Sequence, residues 1–364
     1  MPVRCGIVGL PNVGKTTIFN ALTAAGVDAA NYPFSTKQPN IGVVTVPDKR
    51  VDMISAIVKP KSIVYTNVIF MDIAGLAKGA NAGEGLGNQF LSQIREVDAI
   101  AHVVRCYDDP DVVHTEGSID PERDIEIIDM ELILKDIESV TKRIAGVERA
   151  ARTGNKDAKA ALELFTRVKN HLDDGKPARW LHLEDHERKS INELFLLSIK
   201  PVLYVCNVDE HHVTGDHPYV QAVRKMAERD HSGVVVIAGK IEAEIAQLKP
   251  EEQNAFLESL GLKEPGLHAL IREAYHLLQL DTFITAGPEE VRAWTITRGA
   301  KAPQAAGAIH SDIEKGFIRA EVIWWEDYVK YKSEQACKDK GLMHLEGKDY
   351  VVKDGDVIYF RFNV

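Results

Sequence analysis

Residues 9–17 read Gly-Leu-Pro-Asn-Val-Gly-Lys-Thr-Thr, with Gly9, Gly14, Lys15 and Thr16 at the spacing of a loop that cradles nucleotide phosphates. An apolar run at 3–8 precedes them and a helical pattern follows. A glycine-rich turn in that position aims backbone N–H groups at a phosphate, and the N-terminus of the next helix favours the same anion. Asn12, Val13, Gly14, Lys15, Thr16 and Thr17 are therefore the candidate phosphate-binding residues. Lys15 is expected to reach the β- and γ-phosphates and contribute to catalysis, and the Thr16 hydroxyl to ligate Mg²⁺.

Asp72-Ile73-Ala74-Gly75 closes the apolar run 68–73 with D-x-x-G spacing. In such a tetrapeptide the acid touches Mg²⁺ through water, and the Gly75 N–H, a further catalytic candidate, meets the γ-phosphate. Thr36, in Tyr-Pro-Phe-Ser-Thr, is the candidate for a second hydroxyl on the metal, with Ser35 as its competitor. The stretch 78–89 carries four glycines. Glycine loses the most entropy on ordering, so this stretch reads as a switch that orders when the γ-phosphate is present.

Base selection is expected from Asn207-Val208-Asp209-Glu210 at the end of the run 201–206. A guanine-specific site of this kind uses N-K-x-D, whose aspartate accepts both the N1 proton and the 2-amino group. Here Val208 replaces the lysine that would flank the purine, Glu210 is too long for the paired geometry, and Asp209 is one residue out of register. Adenine is the favoured base, with Ala238 and Gly239 offering backbone N–H groups to its edge. Hydrolysis is the harder question, because Leu76 stands where Ras-type enzymes carry a water-orienting glutamine. Either turnover is slow or another polar side chain serves, and His114, in an acidic loop after the run 99–104, is the first choice. His102, inside that run, reads as a core histidine.

The elements that must hold these residues are legible as short β-branched runs at 3–8, 42–46, 68–73, 99–104, 201–206 and 234–237, alternating with helical patterns. This is an α/β pattern, a mostly parallel sheet wrapped by helices, with the ligand at the carboxyl ends of the strands. Between the fourth and fifth of the parallel strands, apolar residues at 133, 137, 140, 144, 147 and 151 follow heptad-like spacing. The pattern resumes after Gly154-Asn155 at 158, 161, 165, 168 and 172, predicting an antiparallel hairpin of two helices of matched length. Beyond about 280, strand patterns at 282–285, 291–297, 320–323, 349–352 and 357–362 surround a helix near 305–315, which suggests a small α+β domain. The expected organisation is a nucleotide-binding domain at 1–128 and 197–280, an inserted hairpin at 129–196 and a terminal domain at 281–364.

The net charge of −10 argues against diffuse nucleic-acid binding. Residues 142–179 nevertheless carry ten basic against five acidic side chains, which makes this segment a candidate contact for RNA phosphates. The terminal domain, with twelve basic and fourteen acidic residues from 281 to 364, shows no such bias. Four widely separated cysteines, three of them in or beside apolar runs, read as buried free thiols. With no signal pattern and no apolar stretch near the length of a membrane span, a cytoplasmic protein is expected.

The phosphate loop, Tyr-Pro-Phe-Ser-Thr followed by Pro39-Asn40-Ile41-Gly42-Val43-Val44, the Asp-Ile-Ala-Gly-Leu stretch, Asn-Val-Asp-Glu and the segment 306–322 together resemble the YchF family of Obg-like ATPases over essentially the whole chain. That resemblance implies a translation-factor-class P-loop ATPase that prefers ATP to GTP, with a coiled-coil insertion and a terminal TGS domain of β-grasp type. It further implies Mg²⁺ on Thr16, Thr36 and Asp72, a base framed by Asn207, Val208 and Glu210, and His114 as the catalytic substitute. The implied partner is the ribosome, as large subunit or 70S particle, met as a monomer through the hairpin and the terminal domain. One departure is the base loop, where Ala238-Gly239 replaces the family's usual Ser-Ala or similar small pair. Two other readings stay open at this point: a GTPase acting in ribosome assembly, and a nucleotide-gated RNA- or ribosome-binding module with negligible hydrolysis.

Overall fold

The computed structural model describes residues 3–25, 40–73 and 86–363. In chain order they form β1 (Arg4–Val8), α1 (Lys15–Ala25), β2 (Ile41–Thr45), α2 (Lys49–Val58), β3 (Ser62–Val64), β4 (Asn67–Asp72), α3 (Leu86–Glu96) and β5 (Ala99–Arg105). There follow α4 (Pro121–Arg152), α5 (Lys156–Asp173), α6 (Asp185–Asn192), β6 (Val202–Asn207), α7 (Pro218–Asp230), β7 (Gly233–Ile237), α8 (Gly239–Ile245), α9 (Pro250–Ser259) and α10 (Gly266–Leu277). The remainder is β8 (Leu280–Ala286), β9 (Glu290–Thr297), α11 (Ala302–Ile309), α12 (Ser311–Lys315), β10 (Phe317–Trp324), α13 (Trp325–Tyr331), α14 (Glu334–Asp339), β11 (His344–Glu346) and β12 (Asp356–Phe362).

These elements pack as two compact units, Met1–Val43 with Ile69–Ala274 and Val44–Val68 with Tyr275–Val364. The first is built on a sheet of order β2-β4-β1-β5-β6-β7. Every neighbouring pair from β4 to β7 is parallel. Each of the six expected runs is a strand in it, and β5 and β6 are buried at every position, as strands covered on both faces must be.

The inserted hairpin follows the heptad pattern. Ile133, Val140, Phe165, Val168 and Leu172 are buried, and Ile137, Ile144, Val147 and Ala161 pack against them. Asn155 starts the second arm by accepting from the Ala158 N–H, and Gly154 before it sits at φ +90°, a conformation only glycine adopts freely. The arms are not of matched length. α4 has 32 residues and α5 has 18, because α4 begins at an Asp120 cap and a Pro121 first turn well before the heptads start. Ile125 and Ile128 in that early part are also buried.

The second unit is a mixed sheet of order β11-β10-β12-β8-β9-β3, in which β12 runs parallel to β8 and α11 covers one face. Sequence pattern assigns residues 44–68 to the nucleotide-binding part; in the structure the stretch between β2 and β4 is built into this unit instead. β3 adds to its edge parallel to β9, and Val51 and Ile54 of α2 lie fully buried with Ile284, Val291, Ile323 and Val357. Arg50 secures α2 by pairing with both Asp48 and Asp354. The expected strand at 349–352 is only an isolated bridge between Lys301 and Val351, made by the Val352 N–H on the Ala300 carbonyl and the Ala302 N–H on the Tyr350 carbonyl, because α11 begins at Ala302 and takes the chain out of any longer ladder. The helix near 305–315 is two helices, broken at His310, whose extended backbone ends one and whose ring accepts from the Asp312 N–H to start the next.

Candidate functional site

Because β1, β4, β5, β6 and β7 run parallel, their carboxyl ends deliver Gly9, Asp72, Arg105, Asn207 and Ala238 to one edge of the sheet. The phosphate loop turns sharply there. Asn12 has φ +63° and Gly14 φ +98°. A Cβ on Gly14 would lie 2.3 Å from the Asn207 Nδ2, so only glycine lets that amide approach. Asn207 exploits the gap, donating to the Val13 carbonyl at 2.8 Å and accepting from the Gly239 N–H at 3.0 Å. One buried amide thus ties the phosphate loop to the base loop. The Gly239 N–H, expected to face the base, is spent on this tie.

Lys15 and Thr16 open α1, whose first turn carries no acid. That leaves the positive end of the helix free for an anion. The Lys15 ammonium donates to the Leu10 carbonyl at 2.7 Å, curling back over the loop. Burial depresses its pKa from 10.5 to about 8, opposed by the nearby Asp72 charge. The Thr16 hydroxyl donates to Asp72 at 3.1 Å. Burial raises the Asp72 pKa, while Thr16 and Lys15 act to lower it. A carboxylate and a hydroxyl side by side, with the carboxylate costly to keep charged, are the hard-oxygen pair that suits Mg²⁺. Among the described residues no cluster of three or more His, Cys, Asp or Glu could hold a metal by protein groups alone. Mg²⁺ needs only one or two protein ligands when it shares substrate phosphates. Val13 is buried and Thr17 exposed in this turn. Thr36, Gly75 and Leu76 lie outside the described residues, as does most of the glycine-rich switch segment.

At the base end, Val208 is buried and its N–H donates to the Ile237 carbonyl. Asp209 is consumed by its own turn, accepting from the His211 N–H and from the His212 ring. Glu210 opens a 3₁₀ turn with its carboxylate in solvent beside His211. Asp209, with both bonds made inside its own turn, is thus occupied, and Glu210 is left facing solvent.

His114 sits in the loop between β5 and α4. It is buried, its Nδ1 accepts from the Glu116 N–H at 3.2 Å, and its Nε2 therefore donates to Asp124 at 2.9 Å. Its loop still borders the phosphate site, because the Asn12 amide donates to the Val113 carbonyl. Sequence reasoning missed the group that shapes this loop. Arg105, 1% exposed, donates to the carbonyls of Tyr107, Asp109 and Val112. An arginine ending a wholly buried strand was the available signal. Its neighbour Asp109 also meets Lys240 of the base loop at 3.4 Å. His102 is a core residue whose pKa burial lowers to about 3. All four cysteines are free and buried.

The basic hairpin is less free than its composition implies. Arg143, Arg152, Arg167, Lys169, Lys176 and Arg179 each pair with an acid. Arg149, Lys156 and Lys159, around the tip, form no ion pair among the described residues.

A family model described as "50S ribosome-binding GTPase" matches residues 4–143, and one described as "Protein of unknown function (DUF933)", the YchF-GTPase C-terminal model, matches 280–363. The chain is 51% identical over 364 residues to the protein of Escherichia coli O157:H7 named "Ribosome-binding ATPase YchF", with all of each chain covered. It is 50% identical over 366 residues to the Bacillus subtilis protein of the same name, again over all of both chains. A solved structure, "Structure of the Schizosaccharomyces pombe YchF GTPase", superposes with a TM-score of 0.88 at 38% identity, covering 99% of this chain and 97% of that one.

Proposed function

This chain belongs to the YchF family, and on that premise we propose that it is a ribosome-associated ATPase whose hydrolysis is Mg²⁺-dependent. The observation that carries the chemistry is the convergence of Lys15, Thr16 and Asp72, with Thr16 and Asp72 3.1 Å apart, on one edge of the sheet beside the Asn207 tie. Thr16 and Asp72 would hold Mg²⁺, which supplies charge neutralisation on the phosphates when bound. The amides of Asn12 to Thr17 bind phosphate oxygens, and Lys15 exchanges the Leu10 carbonyl for phosphate. Catalysis is then mainly positioning and electrostatic stabilisation. Thr36 and Gly75 keep the metal and γ-phosphate roles assigned from sequence.

The engaged Asp209 and solvent-facing Glu210 support adenine over guanine, although the Schizosaccharomyces pombe relative is named a GTPase. His114 is assigned to orienting the attacking water. Its loop is bonded to the phosphate loop, and its ring must leave Asp124 to serve. The unpaired cations at the hairpin tip support contact with ribosomal RNA, and the terminal unit, as a TGS-like module, is assigned a second contact. We place the protein in the cytoplasm as a monomer.

Titration calorimetry with ATP and GTP, each with Mg²⁺ and with EDTA, tests the ligand. Steady-state hydrolysis with and without ribosomes tests the rest. A tenfold or greater preference for GTP overturns the base assignment, and hydrolysis that survives loss of Lys15 overturns the site.

A further inference from the structure

His114 stands in a segment bounded by two fixed turns. On its N-terminal side Arg105 holds residues 107–112 through three backbone carbonyls. On its C-terminal side Arg123 clasps Ser118 through both hydroxyl and carbonyl. Between these turns Val113 is 76% exposed and Gly117 sits at φ +79°, while the Thr115 hydroxyl is buried with no partner. The ring is held at both nitrogens, by the Glu116 N–H on Nδ1 at 3.2 Å and by one side chain, Asp124, which accepts from Nε2 at 2.9 Å. The other oxygen of Asp124 is fixed by Arg123 at 2.9 Å, so the carboxylate does not follow the ring if it turns.

With Nδ1 accepting from the Glu116 N–H and Nε2 donating to Asp124, neither ring nitrogen is free for a water. We propose that Asp124 is a positioning residue that restrains His114 in a resting orientation, and that exchange of this hydrogen bond limits hydrolysis. Asp124 lies in the first turn of α4, and α4 continues unbroken to the hairpin tip at Arg152. A load placed on the tip by the ribosome therefore reaches His114 through one rigid helix. The inference rests on the assignment of His114 to the attacking water.

The test compares Asp124→Asn, His114→Ala and the double variant as full-length chains. In Asp124→Asn, basal ATP turnover is expected to rise about tenfold, the effect of removing one charge-assisted hydrogen bond from the resting state, with ATP affinity within about twofold of the parent. Stimulation by ribosomes shrinks accordingly, and the double variant is as slow as His114→Ala. Unchanged or lower turnover in Asp124→Asn, or a gain that survives in the double variant, overturns the proposal. If His114→Ala alone turns over at the parent rate, the water assignment fails instead. A measurement independent of folding in the variant is ¹⁵N NMR of the parent imidazole. Without nucleotide it should show the Nε2–H tautomer, and a non-hydrolysable ATP analogue should weaken that signature. A signature identical in both states overturns the restraint.

Discussion

The side-chain amide of Asn207 donates to the Val13 carbonyl at 2.8 Å, and its own oxygen accepts from the Gly239 N–H. Asn207→Ala strands a buried acceptor and a buried donor, each costing about 1–3 kcal/mol. Chemical denaturation should show a loss of about 2–6 kcal/mol for the two together. Calorimetry should show ATP affinity reduced by about tenfold or more, because the phosphate and base loops lose their common anchor.

Lys15 gives the nucleotide-free protein a pH dependence whose sign follows from its environment. Burial lowers its pKa from 10.5 to about 8, so between those values the unfolded chain holds a proton that the folded chain has released. Stability from this residue therefore rises with pH across that window and is constant below it. Lys15→Met should remove the rise, on the order of 3 kcal/mol at most, seen as the difference between the two denaturation-versus-pH curves. Phosphate restores the charge, so ATP binding near pH 8 should take up protons, measurable by calorimetry in buffers of different ionisation enthalpy.

Ile54 is sequence-distant from the terminal unit but fully buried in its core. Ile54→Ala is expected to destabilise that unit by about 2–5 kcal/mol. Hydrogen exchange should localise the loss to β8, β9, β10 and β12 rather than to the sheet of β1 and β5. A chain ended at 279 leaves Val51 and Ile54 without their partners and should aggregate or bind a hydrophobic dye.

Charge reversal of Arg149, Lys156 and Lys159 together should weaken ribosome co-sedimentation strongly and flatten its salt dependence, by roughly 0.7–0.9 in slope for each phosphate no longer neutralised. Reversal of Arg143 and Arg167, already paired with Glu193 and Glu187, should do so far less. Equal effects of the two sets would show that composition rather than free charge governs binding.

The phosphate loop, the six strands of the first sheet and the heptads of the hairpin are all legible in the sequence. Each depends on something a short window encodes: alternation or 3.6-residue periodicity, a glycine where φ must be positive, an Asn or Asp where a helix begins. The destination of α2 and β3 is not legible. A strand-helix-strand pattern between Gly42 and Asp72 reads as continuing one sheet, and nothing local shows that Val51 and Ile54 fit another core. The hairpin's excess positive charge is countable, yet Arg143, Arg167 and Arg179 find their acids at Glu193, Glu187, Asp129 and Asp230, three of which lie outside the hairpin's two helices and Asp129 in the early turns of α4.

His114 draws the same boundary most finely. The string of residues is enough to place a histidine after the strand facing the phosphate loop, and to show at Leu76 that the usual hydrolytic glutamine is missing. Burial of that ring against Asp124 emerges only in the packed chain. Periodicity and backbone preference act between near neighbours and survive in a string of letters. A hydrogen bond between a loop and the first turn of a helix depends on where two arginines pin that loop, and that is settled only when distant segments come together.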